Sequence, residues 1–258
     1  MSTYKGWEAK FKYANEYLDA CRSAVADDKI FARFKSLQGY KNILEHVTPS
    51  QGEGYLRMAL EMSEESLLDN LEAFKENDTV GSPDTFSFPQ IGKISPTTIR
   101  YIKNAFEMAT LLKDASIIRI VEVGGGYGGL CKTLSVVCDF DEYILVDLPE
   151  AVAVQEKYLK NFPEIYKKCK FVSCDDVEEV KDVDLFISNY ALSECDYDTQ
   201  VNYYDKLVVN SKFSYIIYNL VNFNDFYYNK FIERMSERFE ITTEKDYENT
   251  VILAKEKN

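Results

Sequence analysis

The sequence predicts an α/β protein, with a mostly parallel sheet closed by a β-hairpin and preceded by an N-terminal helical region. Three observations predict it. From Ser116 onward, short apolar runs alternate with amphipathic stretches, the pattern of strands joined by crossover helices. The run ending at Val123 passes straight into Gly124-Gly-Gly-Tyr-Gly-Gly129 and then into a helix-like segment. Finally, Phe239-Glu-Ile-Thr-Thr243 and Thr250-Val-Ile-Leu-Ala254 are strand-like runs separated by a polar turn, with no helix between them.

Taken in order, residues from about 4 to 75 carry helical periodicity, broken near Thr48-Pro49 and Gly52-Glu53-Gly54. Leu56, Leu60, Leu67, Leu68 and Leu71 fit one core-facing stripe. Asp78 to Gly92 reads as a loop by composition, with its prolines, glycines and phenylalanines. Ser95-Pro96 places an N-cap before a proline at the first helical position, so a helix should run through Arg100, Tyr101 and Phe106 to about Lys113. Strands are expected at about 117–123, 142–147, 169–174, 183–189 and 213–220, with helices at about 128–138, 150–160, 199–210 and 225–237. The chain therefore divides into an N-terminal helical, acceptor-pocket region over 1–94 and a cofactor-binding sheet domain over 95–258.

Composition narrows the partners. Thirty basic residues against 43 acidic ones give a net charge of −13, which repels phosphate backbones and anionic lipid. Nucleic acid and membrane surfaces are therefore not expected as partners. The first residues, Met1-Ser-Thr-Tyr-Lys-Gly-Trp7, lack the apolar core of a signal peptide, and no apolar stretch approaches 18 residues. A cytoplasmic protein is the expectation. The six cysteines form no Cys-x-x-Cys pair and the chain has one histidine, so no zinc site is expected and the thiols should be reduced.

The glycine loop reads in two ways. Gly124, Gly126 and Gly129 satisfy the dinucleotide pattern Gly-x-Gly-x-x-Gly, whereas Gly124, Gly126 and Gly128 satisfy Gly-x-Gly-x-Gly, the S-adenosylmethionine version. Three neighbours favour the second. Glu122 stands where a carboxylate would meet the methionine ammonium group, and it would be awkward beside a pyrophosphate. Asp147, followed by Leu148, ends the second strand and can take the ribose hydroxyls, though this suits either cofactor. Asp175 and Asp176 follow the third strand, in place to accept from the adenine amino group. With the closing hairpin, these features point to a Rossmann-like class I methyltransferase sheet that binds S-adenosylmethionine and no metal. Tyr127, inside the loop, could stabilise the sulfonium through its ring.

Several phrases resemble the sugar O-methyltransferase family: Leu44-Glu-His-Val47, Ile91-Gly-Lys-Ile-Ser-Pro-Thr-Thr-Ile-Arg-Tyr-Ile102, Val121-Glu-Val-Gly-Gly-Gly-Tyr-Gly-Gly-Leu130, Val146-Asp-Leu-Pro-Glu150 and Ser188-Asn-Tyr-Ala-Leu-Ser-Glu194. They run from about residue 40 to 195, over half the chain. The resemblance implies methylation of a hydroxyl on a sugar or nucleotide-sugar in glycan biosynthesis. Methyl transfer to a hydroxyl is helped by a base, and His46, the sole histidine, and Glu194, after the fourth strand, are the candidates. A helix-end histidine and a solvated helix-start carboxylate are the plainer alternatives. Asn189 and Ser193 share the strand-end rim, Asn189 being assigned to the cofactor and Ser193 to the acceptor. Arg100 and Tyr101 are candidates for the acceptor wall, and Asn219 and Asn222 should face it. The sequence admits a homodimer. An O-methyltransferase of a non-sugar small molecule, an NAD(P)-dependent oxidoreductase and a non-catalytic cofactor-binding protein are the other readings.

Overall fold

The structure, a computed structural model, describes residues 13–113, 115–116, 119–219, 225–246 and 249–257. Helices α1 (Ala14–Ala26), α2 (Asp28–Phe31) and α3 (Gln38–Lys41) precede α4 (Pro49–Asp69) and α5 (Leu71–Lys75). A small hairpin of β1 (Phe86–Phe88) and β2 (Gly92–Ile94) leads into α6 (Pro96–Leu111). The alternating part comprises β3 (Arg119–Val123), α7 (Gly129–Leu134), β4 (Glu142–Asp147), α8 (Pro149–Leu159), α9 (Pro163–Tyr166), β5 (Cys169–Ser173) and β6 (Val183–Asn189). It continues through α10 (Ala191–Glu194), α11 (Tyr197–Lys206), β7 (Ser211–Tyr218) and α12 (Asp225–Arg238), and ends in β8 (Phe239–Asp246) and β9 (Asn249–Glu256).

The large sheet has seven strands in the order β5-β4-β3-β6-β7-β9-β8. Neighbours from β5 through β7 pair in parallel, while β9 runs antiparallel to both β7 and β8. This is the Rossmann-like sheet with a closing hairpin that the sequence predicts. Its central strands are mostly apolar because helices cover both faces: the first six residues of β6 are all buried, Asp184 and Ser188 included. One face packs Leu145, Leu185 and Ile187 against Tyr17 and Leu18 of α1, Val154 of α8 and Tyr101 of α6. The other packs Val121, Phe186 and Ile216 against Tyr203 of α11 and Phe231 and Met235 of α12. Among the described residues, no helix is long and apolar enough to cross a membrane.

Three sequence expectations are corrected in the N-terminal half. Gly52 and Gly54 do not break a helix. Thr48 caps α4 in a reciprocal capping box with Gln51, and the helix runs through both glycines. Gly52 is there for close approach, since a Cβ on it would lie 3.0 Å from Phe88 Cζ and 3.0 Å from Pro96 Cβ. Leu68 leaves the predicted stripe and is 40% exposed, because Ser63 is non-helical (φ −165°, ψ 83°) and rotates the last turns of α4 relative to the first. The stretch expected as a loop before Gly92 contains β1, whose Phe88 is buried; it pairs with β2, whose Ile94 is also buried.

α6 is capped as expected, with the Ser95 hydroxyl accepting from the Thr97 N–H. It is also tied to the far end of the sheet. The fully buried Lys103 ammonium sits 2.8 Å from Glu107 and 3.0 Å from Asp246, and the Tyr215 hydroxyl donates to Glu107 at 2.5 Å. Burial opposes the charge on Lys103, but the two carboxylates outweigh it and hold its pKa above the ordinary value.

Candidate functional site

Between β3 and β6 the strand order reverses, and a crevice at such a point is the standard ligand site of open α/β sheets. A cavity of about 490 Å³ opens there. Its floor is built from the carboxyl ends of four strands: Val123 and Gly124 after β3, Asp147 on β4, Cys174 after β5 and Asn189 on β6. Helices α10 and α11 supply Glu194, Cys195, Thr199 and Tyr203. The N-terminal half supplies Tyr17, Leu44, His46, Gln51 and Tyr55.

The glycine loop meets the cavity through Gly124 and Gly126, both at positive φ (80° and 60°). A Cβ on Gly124 would fall 2.0 Å from the Ala191 Cβ, and one on Gly126 would fall 3.1 Å from a Leu44 methyl carbon. Only a bare backbone fits between these walls. Three of the loop's N–H groups are bound within the protein, two of them to the end of β4. The N–H of Gly124 donates to the Val146 carbonyl (2.9 Å), that of Gly126 to the Asp147 carboxylate (3.1 Å), and that of Gly128 to the Gly125 carbonyl (2.9 Å). A pyrophosphate cradle needs such N–H groups free and aimed outward. Gly128 itself caps α7 and lies off the cavity lining.

Asp147 is the most heavily supported side chain of the site. It accepts from the Leu148 N–H (2.8 Å), the Gly126 N–H and the Gln155 amide (2.8 Å). Burial pushes its pKa up to about 7 despite these donors, and the Glu194 carboxylate adds to the rise. Gln155, fully buried on α8, also donates to the Gly126 carbonyl at 3.1 Å, so one amide joins the loop to the carboxylate. Sequence reasoning did not single it out, although it lies two helical turns beyond Asp147.

Other predicted positions divide clearly. His46, Arg100, Leu148, Asn189, Glu194 and Asn219 line the cavity with Asp147. The Asn189 amide has both polar atoms buried without a hydrogen-bond partner, and Asn219 donates to Glu194 at 3.5 Å. His46 lines the cavity and is exposed as a residue. Crowding of its ring by the walls, and then the Arg100 guanidinium, lower its pKa to about 4. Tyr190, which the sequence reading passed over, holds φ at +72° at the end of β6, and such strain concentrates at functional sites.

Six predicted residues are placed elsewhere. Glu122 alternates with the cavity-lining Val123 and so faces the underside of the loop. There it is 2% exposed and receives the Tyr143 hydroxyl at 2.9 Å. Burial raises its pKa to about 8, which the Tyr143 hydrogen bond only partly offsets. Tyr127 is fully buried, its ring against Phe34, Tyr101 and Tyr158 with the Lys35 ammonium 4.1 Å above it. It anchors the loop from behind and does not reach the cavity. Tyr101 shares that aromatic cluster and forms no acceptor wall. Asp175 and Asp176 are exposed past the rim, and Cys174 takes the lining position. The Ser193 hydroxyl is consumed in the backbone, donating to the Tyr190 carbonyl (2.5 Å) and accepting from the Asn219 N–H (2.9 Å). Asn222 lies outside the described residues. Among the described residues, no group of three or more His, Cys, Asp or Glu is placed to hold a metal ion.

No family model and no curated protein matches the chain. Solved structures similar to it include the CurJ carbon methyltransferase, at 13% identity over 62% of this chain and 56% of that one, with a TM-score of 0.46. The methyltransferase domain of bacterial CtHen1-C is similar at 11% identity, over 60% of this chain and 97% of that one, with a TM-score of 0.48. M. capricolum TrmK, solved with the cofactor product S-adenosylhomocysteine, is similar at 11% identity over 59% and 68% of the two chains, with a TM-score of 0.41. The chain thus spans just over half the length of the carbon methyltransferase. These likenesses carry no information about an acceptor.

Proposed function

We propose that the chain is an S-adenosylmethionine-dependent O-methyltransferase whose acceptor is the hydroxyl of a sugar or nucleotide-sugar. The observation that carries the cofactor is the Gly126–Asp147–Gln155 arrangement. The loop N–H that a pyrophosphate would need is bound to a carboxylate, and that carboxylate stands at the strand end where ribose hydroxyls can donate to it. Gly124 and Gly126 leave a cradle that a Cβ would fill, and the orphaned Asn189 amide awaits a polar ligand. Cys174, Tyr203 and Thr199 give a less polar end suited to a base. The acceptor assignment rests on the sequence resemblance, supported by Glu194, Asn219 and His46 all lining the same cavity, with Asn219 against Glu194.

When bound, the cofactor supplies an electrophilic methyl group. The protein's part is to hold the acceptor oxygen in line with it and to take the hydroxyl proton. Glu194, steadied by Asn219, is the proposed base. His46 stays neutral at physiological pH, but a pKa near 4 makes it a poor proton acceptor. Its proposed role is to accept a hydrogen bond from the acceptor hydroxyl and orient it. Glu194→Gln should therefore lower kcat by about a hundredfold or more, and His46→Ala by roughly tenfold, an order below the general-base loss. Both should leave the Kd of S-adenosylhomocysteine unchanged, and wild-type kcat in Glu194→Gln would remove it from the mechanism.

The cofactor is tested by calorimetric melting with S-adenosylhomocysteine and, separately, NADH. A ligand present at about a hundred times its Kd adds roughly 2.7 kcal/mol of stability, which is several degrees in Tm for a chain of this size. Stabilisation by NADH alone would favour the oxidoreductase reading. A panel of sugars and nucleotide-sugars, with mass detection of the added methyl group, then tests the acceptor.

A further inference from the structure

Arg100 is an unusual charge for this cavity. It is 6% exposed on α6, it lines the cavity, and its Nε is buried without a partner. Its hydrogen bond from Nη2 to the Leu44 carbonyl is long, at 3.4 Å, and it forms no salt bridge among the described residues. The guanidinium lies 5.5 Å from the Tyr190 ring centre and 5.7 Å from that of Tyr101. The Glu45 carboxylate acts on it electrostatically without closing a salt bridge. The unpartnered Nε and the long Nη2 contact therefore leave the guanidinium able to take a further anion from a ligand in the cavity.

Its place along the cavity says which anion. The strand order puts β5 at one side of the crevice and β3 and β6 at the other. Cys174 follows β5 and lines the cavity together with Tyr203. Asp147 is next, and Gly124, Asn189 and Tyr190 stand at the far side. Arg100 belongs to that far side. Leu44, whose carbonyl it contacts, rests on Gly126, and Tyr190, over which it lies, adjoins Ala191 packed on Gly124. The orphaned amide of Asn189 is at the same end. With base and ribose toward Cys174 and Asp147, the amino-acid tail of the cofactor reaches the Gly124–Asn189 end.

We propose that Arg100 seats the α-carboxylate of the cofactor's amino-acid tail, with the Asn189 amide beside it, and does not serve the acceptor. The assignment rests on the S-adenosylmethionine reading and reverses the acceptor role predicted from the sequence. It also eases an electrostatic conflict, since a guanidinium and a sulfonium in one cavity repel, whereas a carboxylate between them attracts both.

The test is isothermal calorimetry on the full chain with S-adenosylhomocysteine and with 5′-methylthioadenosine, a nucleoside lacking the amino-acid tail. Arg100→Gln should weaken S-adenosylhomocysteine by about 10- to 100-fold, the worth of a charged hydrogen-bonded contact, and leave 5′-methylthioadenosine within about twofold. Arg100→Lys should recover part of the loss. Binding of 5′-methylthioadenosine also reports that the variant is folded. Should Arg100→Gln fail to fold, the wild type alone decides: it should prefer S-adenosylhomocysteine to its decarboxylated analogue by a similar factor. Equal binding of those two, equal weakening of both nucleosides in Arg100→Gln, or an unchanged S-adenosylhomocysteine Kd with a raised acceptor KM would each overturn the proposal. Wild-type protein that binds neither nucleoside would overturn it together with the methyltransferase reading, whereas tight binding of S-adenosylhomocysteine with no effect at Arg100 defeats only the carboxylate seat.

Discussion

Gly124→Ala is expected to destabilise the protein by about 3 kcal/mol or more and to abolish measurable cofactor binding. Two costs combine. At φ +80° an alanine is strained whatever the space around it, and its Cβ would fall 2.0 Å from that of Ala191. One of the two backbones must give way. If the loop moves, Gly126 loses its bond to Asp147; if Ala191 moves, it carries Tyr190 and Asn189 out of the cavity wall. Urea unfolding and S-adenosylhomocysteine calorimetry measure the two losses separately. Adding Ala191→Gly to Gly124→Ala should restore part of the stability, because it removes the collision and leaves the dihedral strain. A single variant with wild-type Kd would show that the loop does not lie against the ligand.

Asp147→Asn is expected to weaken the cofactor by about 10- to 100-fold at pH 8, and by only a few-fold at pH 6, where the ionised form is already scarce. The sign comes from the raised pKa. With a pKa of about 7 in the ligand-free protein, the carboxylate is mostly protonated at pH 6 and mostly ionised at pH 8. Ribose hydroxyls donate to the ionised form, so wild-type affinity should climb through that window and level off above it. The free protein behaves oppositely. Between the ordinary carboxylate pKa of about 4 and the raised one, the folded state binds more protons than the unfolded state. Wild-type stability should thus fall with rising pH relative to Asp147→Asn. His46, held near 4 against an ordinary 6.5, tilts stability the other way below about pH 6.5, because only the unfolded state is protonated there; both proteins share this contribution, and it cancels in the comparison. A pH-independent wild-type Kd from 6 to 8 would refute the assignment of Asp147 to the ribose.

The sheet was legible because its physics is local. β4 and β6 were read with their observed limits, since a strand buried on both faces is a mostly apolar run bounded by polar residues. Gly124, Gly126 and Asp147, which line the cavity, were legible for a like reason: glycines and an aspartate at strand ends have few other uses. Side-chain direction was harder. Glu122 could have been turned away from the cavity from the sequence alone, because period-two alternation sets it opposite Val123. Arg100 and Tyr101 could not be separated this way, since neighbours on a helix differ by about 100° in direction and only the helix's packing fixes its rotation. Tyr127 was misread because a loop of glycines suggests exposure, whereas its one large side chain is what pins it to the core. Leu44 and Gln155 give no sign in sequence, since each meets the loop only after distant elements assemble.

Leu44 has a thermodynamic consequence. Its side chain rests on Gly126, its carbonyl receives Arg100, and His46, two residues on, also lines the cavity. In the proposed arrangement one short segment serves as wall for both ligands. Whatever free energy the first ligand spends or recovers in settling that segment is returned to the second as a change in its affinity. Linkage makes the factor the same whichever ligand arrives first.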